Sequence, residues 1–157
     1  MIEVVHDRAR LRRGELSSLC ARLRAVERAA GLGALAVTVV LTDDDAIASL
    51  NEAFRGKAKP TDVLSFSAWE GEPMPGTEHE LGDVVISLDT ARRQATELGH
   101  GLADEIAVLF AHGIMHLLGL DHERGLIEAR WQAECEMTVL AAAGLSPDLA
   151  LSRRGLR

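Results

Sequence analysis

The chain has 157 residues, 47% hydrophobic and 26% charged, a globular balance that excludes a disordered polymer and fits one domain burying roughly two-thirds of its unfolded surface. No apolar run approaches the ~20 residues needed to cross a bilayer, and the start Met1-Ile2-Glu3-Val4-Val5-His6-Asp7 has neither a basic nor an apolar leader region, so a cytoplasmic protein without membrane attachment is expected. The formal net charge of −7 weighs against broad nucleic-acid affinity and leaves room only for a local basic patch.

Ile2 to Val5 is short and β-branched and predicts a first strand. A helix follows from about Arg12 to Ala30, with Leu16, Leu19, Leu23 and Val26 on one stripe and Arg12, Arg13, Arg22, Arg24 and Arg28 on solvated faces. Leu35 to Leu41 is a nearly continuous apolar run, the pattern of a strand covered on both sides. Thr42 and Asp43 are N-cap candidates, and Asp44 and Asp45 suit the positive end of the next helix, so the acidic run reads as a helix start and not a metal site. That helix is expected to turn Ile47, Leu50 and Phe54 inward. Cys20 and Cys135 fall in predicted helices without C-x-x-C spacing and read as two small buried side chains rather than a disulfide.

Arg55, Lys57 and Lys59 crowd a loop closed by Pro60. Such a loop is ordinarily just solvated, with phosphate binding as the functional alternative. Val63 to Phe66 predicts a strand with Leu64 and Phe66 on one face, and the turn-rich stretch Trp69 to Leu81 predicts a long, mobile connection to an antiparallel partner. Gly82 to Leu88 alternates, with Val84, Ile86 and Leu88 inward and Asp83 on the opposite face. Asp89 or Thr90 caps a helix to Leu98 that ends at Gly99. The next helix starts near Leu102 and buries Ile106, Leu109, Phe110 and Leu117; a last one, about Leu126 to Ala143, closes at Gly144 before Pro147. The expected fold is α/β (α+β-like): a small mixed sheet with surrounding helices, the first strand pairs parallel through right-handed crossovers and the later hairpin antiparallel, around one central histidine-bearing helix.

That helix carries the chemistry. His112 and His116 are four apart, which places them roughly 40° apart on one helical face, one turn above the other. Gly119 follows where the helix should end, and a glycine there takes a positive φ and turns the chain, allowing His122 to fold back toward the pair. Three neutral imidazoles on a tetrahedral ion leave the fourth position to water, the pattern of a catalytic zinc site. A lone histidine pair in an apolar helix is as often packing as ligation, but the added glycine and third histidine favour metal. The same spacing occurs in metzincin peptidases, where a glutamate after the first histidine is the general base. Here that position is Gly113, which argues against a peptidase. Glu105, seven residues before His112, reads first as a surface carboxylate and second as a hydrogen-bond partner of a ligand imidazole.

The segments His112-Gly113-Ile114-Met115-His116-Leu117-Leu118-Gly119-Leu120-Asp121-His122, Asn51 through Phe66 with Arg55 and Pro60-Thr61-Asp62-Val63-Leu64-Ser65-Phe66, and Gly82-Asp83-Val84-Val85-Ile86-Ser87 together resemble the YbeY family of bacterial rRNA-maturation endoribonucleases. The resemblance implies a four-stranded mixed sheet, one Zn²⁺ on His112, His116 and His122, and an arginine at Arg55 that matters for activity. It also implies a role in 16S rRNA 3′-end processing and ribosome quality control, with rRNA and the small ribosomal subunit and its proteins as partners. The sequence departs from the family at Leu120, where tyrosine is common, and after His122, where the usual acidic run is only Glu123.

The expected chemistry is that of a single metal-dependent hydrolase domain over 1–157, in which Arg55 and His116 are catalytic, Arg55 grips a phosphate beside the ion, and Lys57 and Lys59 extend that hold. The attacking group, metal-bound water or the substrate's 2′-OH, stays open because the motif contains no general base. Two other functions fit the same histidines. One is a zinc hydrolase of peptide or small amide bonds that borrows a carboxylate such as Asp83, and the other is a non-catalytic ribosome-assembly factor whose zinc pins the C-terminal helices.

Overall fold

The computed structural model of the protein describes residues 1–70, 74–120, 125–146 and 148–149. Four strands, β1 (Ile2–His6), β2 (Ala36–Thr42), β3 (Val63–Ser67) and β4 (Glu80–Ser87), form one sheet in the order β1-β2-β4-β3. β1 with β2 and β2 with β4 are parallel, and β3 with β4 is antiparallel. Five helices complete the described fold: α1 (Glu15–Ala30), α2 (Asp44–Arg55), α3 (Leu88–Leu98), α4 (Leu102–Leu117) and α5 (Leu126–Ala142). The α/β architecture, the mixed sheet and both strand senses are therefore as the sequence predicts.

Alternation along the strands decides what each face covers. Val37, Val39, Leu41, Val84 and Ile86 point to the face occupied by α1 and α4 and join the main core with Leu19, Leu23 and Phe110. Val40, Leu64, Val85 and Phe66 point to the other face, where α2 lays Ile47 and Leu50 on them. α4 is apolar nearly all round and is accordingly buried from Glu105 to Met115. It meets β3 and β4 on one side and α1, α3 and α5 on the others, so the histidine helix is the axis of the molecule.

Several local expectations are corrected. α1 begins at Glu15, not Arg12, because the Glu15 carboxylate accepts from the Arg12 backbone N–H at 2.6 Å and holds that residue in the preceding turn. α3 is capped by Ser87, whose hydroxyl accepts from the Thr90 N–H, and Asp89 instead accepts from the Asp44 N–H. Leu81 is not loop: it is fully buried in β4, which starts at Glu80. Phe54 does not turn inward but is 67% exposed, touching Phe66 edge to face with centroids 5.0 Å apart. Asp43 caps α2 as expected, accepting from the Ala46 N–H. Cys20 and Cys135 are free and half-buried. Pro147 lies outside the described residues.

Candidate metal centre and cleft

The face of α4 that leaves the sheet carries His112 and His116, and their Nε2 atoms are 3.1 Å apart with ring centroids 4.7 Å apart. Two imidazole nitrogens on one zinc, at about 2.0–2.1 Å each and a tetrahedral angle, stand roughly 3.3 Å apart. At 3.1 Å the two atoms share either a proton or an ion, and the spacing of four has converged them as the helical geometry demands.

Behind His112 lies a buried polar pair from α5. Glu136 Oε1 is 2.7 Å from His112 Nδ1, and the Gln132 amide is 3.3 Å from the same nitrogen. An ionised carboxylate can only accept, so with Glu136 in that form the contact places the proton on Nδ1 and directs the Nε2 lone pair toward His116. Glu136 and Gln132 are 1% and 0% exposed, so this hydrogen bond is shielded from water. Sequence reasoning missed both residues. The available signal was two polar side chains at a spacing of four in α5, flanked by the buried Ala133, Val139 and Leu140.

Glu105 is not a surface carboxylate. It is 0% exposed, and its Oε2 meets His100 Nε2 at 2.6 Å near the start of α4.

Gly119 has φ 89°, and two hydrogen bonds close the end of α4: Gly119 N–H to His116 C=O at 3.0 Å and Leu120 N–H to Met115 C=O at 2.9 Å. This 5→2 and 6→1 pair is the Schellman arrangement, in which the αL residue reverses the chain. The predicted turn is present. His122, the third candidate ligand, lies outside the described residues, as do Asp121 and Glu123. Among the described residues no group of three His, Cys, Asp or Glu side chains converges as a metal site.

Gly113 has a packing reason. A Cβ at that position would sit 2.7 Å from Val84 Cγ1 and 3.1 Å from Ser65 Oγ, with the Ser65 hydroxyl donating to the Gly113 carbonyl at 3.2 Å. α4 is pressed onto β3 and β4 there, and a side chain at position 113 would enter the sheet. A carboxylate base in the peptidase position is excluded by sterics. Asp83 is no substitute, because it alternates with Val84 and so points to the sheet face opposite α4.

His116 opens onto a cleft of about 290 Å³ between the end of α4, the end of α2 and β3. Its walls include Phe54, Arg55, Ser67, Glu70 and Leu117. Arg55 and His116, 61 positions apart in the chain, thus face one space, and Glu70 places a carboxylate on the same rim. Lys57 and Lys59 are exposed in the loop after α2 and do not line the cleft; that loop is tied back by the Asn51 amide, which donates to the Lys59 carbonyl at 3.0 Å.

The family model described as Endoribonuclease YbeY matches residues 7–142. The chain is similar to the endoribonuclease YbeY of Symbiobacterium thermophilum, 50% identical over 129 residues and covering 78% of this chain and 82% of that one. It is also similar to that of Moorella thermoacetica, 45% identical over 137 residues, 83% and 87% of the two chains. Among solved structures, a Thermotoga maritima protein determined in solution superposes with a TM-score of 0.54 at 25% identity, covering 90% of each chain.

Proposed function

This chain belongs to the YbeY endoribonuclease family, and from that premise we propose that it is a zinc-dependent endoribonuclease. Its substrate is single-stranded or precursor rRNA, and its role is 16S rRNA 3′-end maturation and ribosome quality control. The observation that carries this reading is the meeting, in one cleft, of Arg55 with His116, whose Nε2 stands 3.1 Å from that of His112.

In this reading residues 1–157 form one hydrolase domain, and His112, His116 and His122 hold a single Zn²⁺. The donor set fits: with Nδ1 donating to the Glu136 carboxylate, His112 would offer its Nε2 lone pair to the ion, the state a metal requires. When bound, zinc supplies Lewis acidity to the site. Arg55 presents a planar fork of donors to phosphate oxygens and stabilises the charge that grows there as the P–O bond breaks. Lys57 and Lys59, outside the cleft, extend the electrostatic hold along the strand. The protein works in the cytoplasm on the small ribosomal subunit, whose surface supplies the specificity that a chain of net charge −7 lacks. No helix among the described residues is long and apolar enough to cross a membrane.

The test is His116→Ala. The variant is expected to keep its circular dichroism spectrum and lose both zinc and cleavage of a defined rRNA precursor, while wild type leaves casein intact. Stoichiometric zinc with full nuclease activity in the variant would overturn the assignment. The ends of the wild-type product then identify the attacking group: a 2′,3′-cyclic or 3′-phosphate for the substrate's 2′-OH, a 3′-OH for water.

A further inference from the structure

Phe54 is out of place for a core residue. The chain has three phenylalanines and two tryptophans. Phe110 is fully buried and Phe66 partly so, yet Phe54, in the last turn of α2 beside Arg55, is 67% exposed. It is not loose. Its ring meets Phe66 edge to face, with centroids 5.0 Å apart and planes at 66°. In such a contact one ring uses its edge and the other one face, so whichever role Phe54 takes, at least one of its faces is left open by Phe66. Phe54 and Arg55 line the same cleft as His116. A flat apolar face and a forked cation, on adjacent residues of one rigid helix end, match the two halves of a nucleotide: a base to stack and a phosphate to grip.

We propose that Phe54 is a stacking platform for an unpaired base, which with Arg55 on the neighbouring phosphate sets the RNA strand in register with the histidine pair. The inference rests on the ribonuclease reading and adds to it the residue that positions the strand. A base inside a duplex is stacked on its neighbours and offers no open face, so the platform selects single-stranded RNA at the cut. The contact discriminates little among bases, since each has a π-face. It also involves no charge, so its loss leaves the salt dependence of binding unchanged, whereas loss of a phosphate contact flattens it by about 0.7 in the slope of log K against log salt.

The experiment compares Phe54→Leu, Phe54→Tyr and Phe54→Ala with the wild-type holoenzyme, using a fluorescent single-stranded RNA spanning a mapped cleavage position and the same strand with one abasic site stepped along it. Leucine keeps an apolar contact with Phe66 but has no flat face; tyrosine keeps both. Phe54→Leu and Phe54→Ala are expected to bind about 5- to 100-fold more weakly, raising KM more than they lower kcat, with an unchanged salt slope. Phe54→Tyr is expected to behave as wild type. One abasic position should weaken wild type by a similar factor and leave Phe54→Leu unaffected. If Phe54→Leu binds and cleaves like wild type, the ring is only a prop for Phe66 or a contact for a protein partner, and the proposal falls while the nuclease assignment stands. If wild type cleaves no RNA, that assignment falls first.

Discussion

Glu136 acts on the site through His112. Removing its acceptor frees Nδ1, releases the ring orientation and leaves the tautomer unspecified, so Glu136→Ala is expected to weaken zinc binding about 10- to 100-fold, read by competition with a chromophoric chelator. An unchanged affinity would show that the 2.7 Å contact does not orient the ligand. Gly113 is the second residue whose role is physical before it is chemical. Because a Cβ there would lie 2.7 Å from Val84 Cγ1, Gly113→Ala is expected to cost about 1–3 kcal/mol in urea unfolding, partly recovered in the double variant with Val84→Ala. An unaltered midpoint would contradict the close packing of α4 on β4. At this scale the sequence was only half informative. The pairing of His112 with His116 follows from helix period alone, whereas the contact of His112 with Glu136 spans 24 positions and depends on how α5 is rotated against α4. Nothing local encodes that rotation.

Among the elements, the clasp between α1 and α3 is a charged one with a clear pH signature. Arg92 donates to both oxygens of Glu15 at 2.7 and 2.6 Å, and that hydrogen bond, outweighing burial, lowers the Glu15 pKa from 4.5 to about 2. A carboxylate depressed in the folded state stabilises above its unfolded pKa and loses that contribution as pH falls through the folded value. The stability gap between wild type and Glu15→Gln is therefore expected to be constant above about pH 5 and to shrink between 4.5 and about 2; a gap independent of pH over that window would exclude the clasp. α4 was legible because it is apolar all round and ends in glycine. The span of α5 was equally legible, but its buried side was not, since its polarity is inverted: Leu126, Ile127 and Trp131 are exposed while Gln132 and Glu136 are buried. Phe54 misled for a related reason, as an aromatic at the inward position of a helix reads as core unless the cleft is seen.

At the scale of the whole molecule, the sheet holds α4 against one face and α2 against the other, and the cleft lies where β3 brings the ends of both helices together. Strand positions and senses follow from apolar runs and crossover handedness. The order β1-β2-β4-β3 puts β4 between β2 and β3, and it is this insertion, which no local pattern shows, that carries Arg55 to His116. The central claim is that the histidine pair belongs to one zinc on which RNA cleavage depends. Its most direct test is the cleavage rate of a defined single-stranded rRNA precursor by chelator-stripped protein, measured as zinc is added back. No cleavage is expected without metal, and with added zinc a linear rise that breaks at one equivalent per chain. A stripped protein that cleaves at the full rate, unmoved by added zinc, would contradict it.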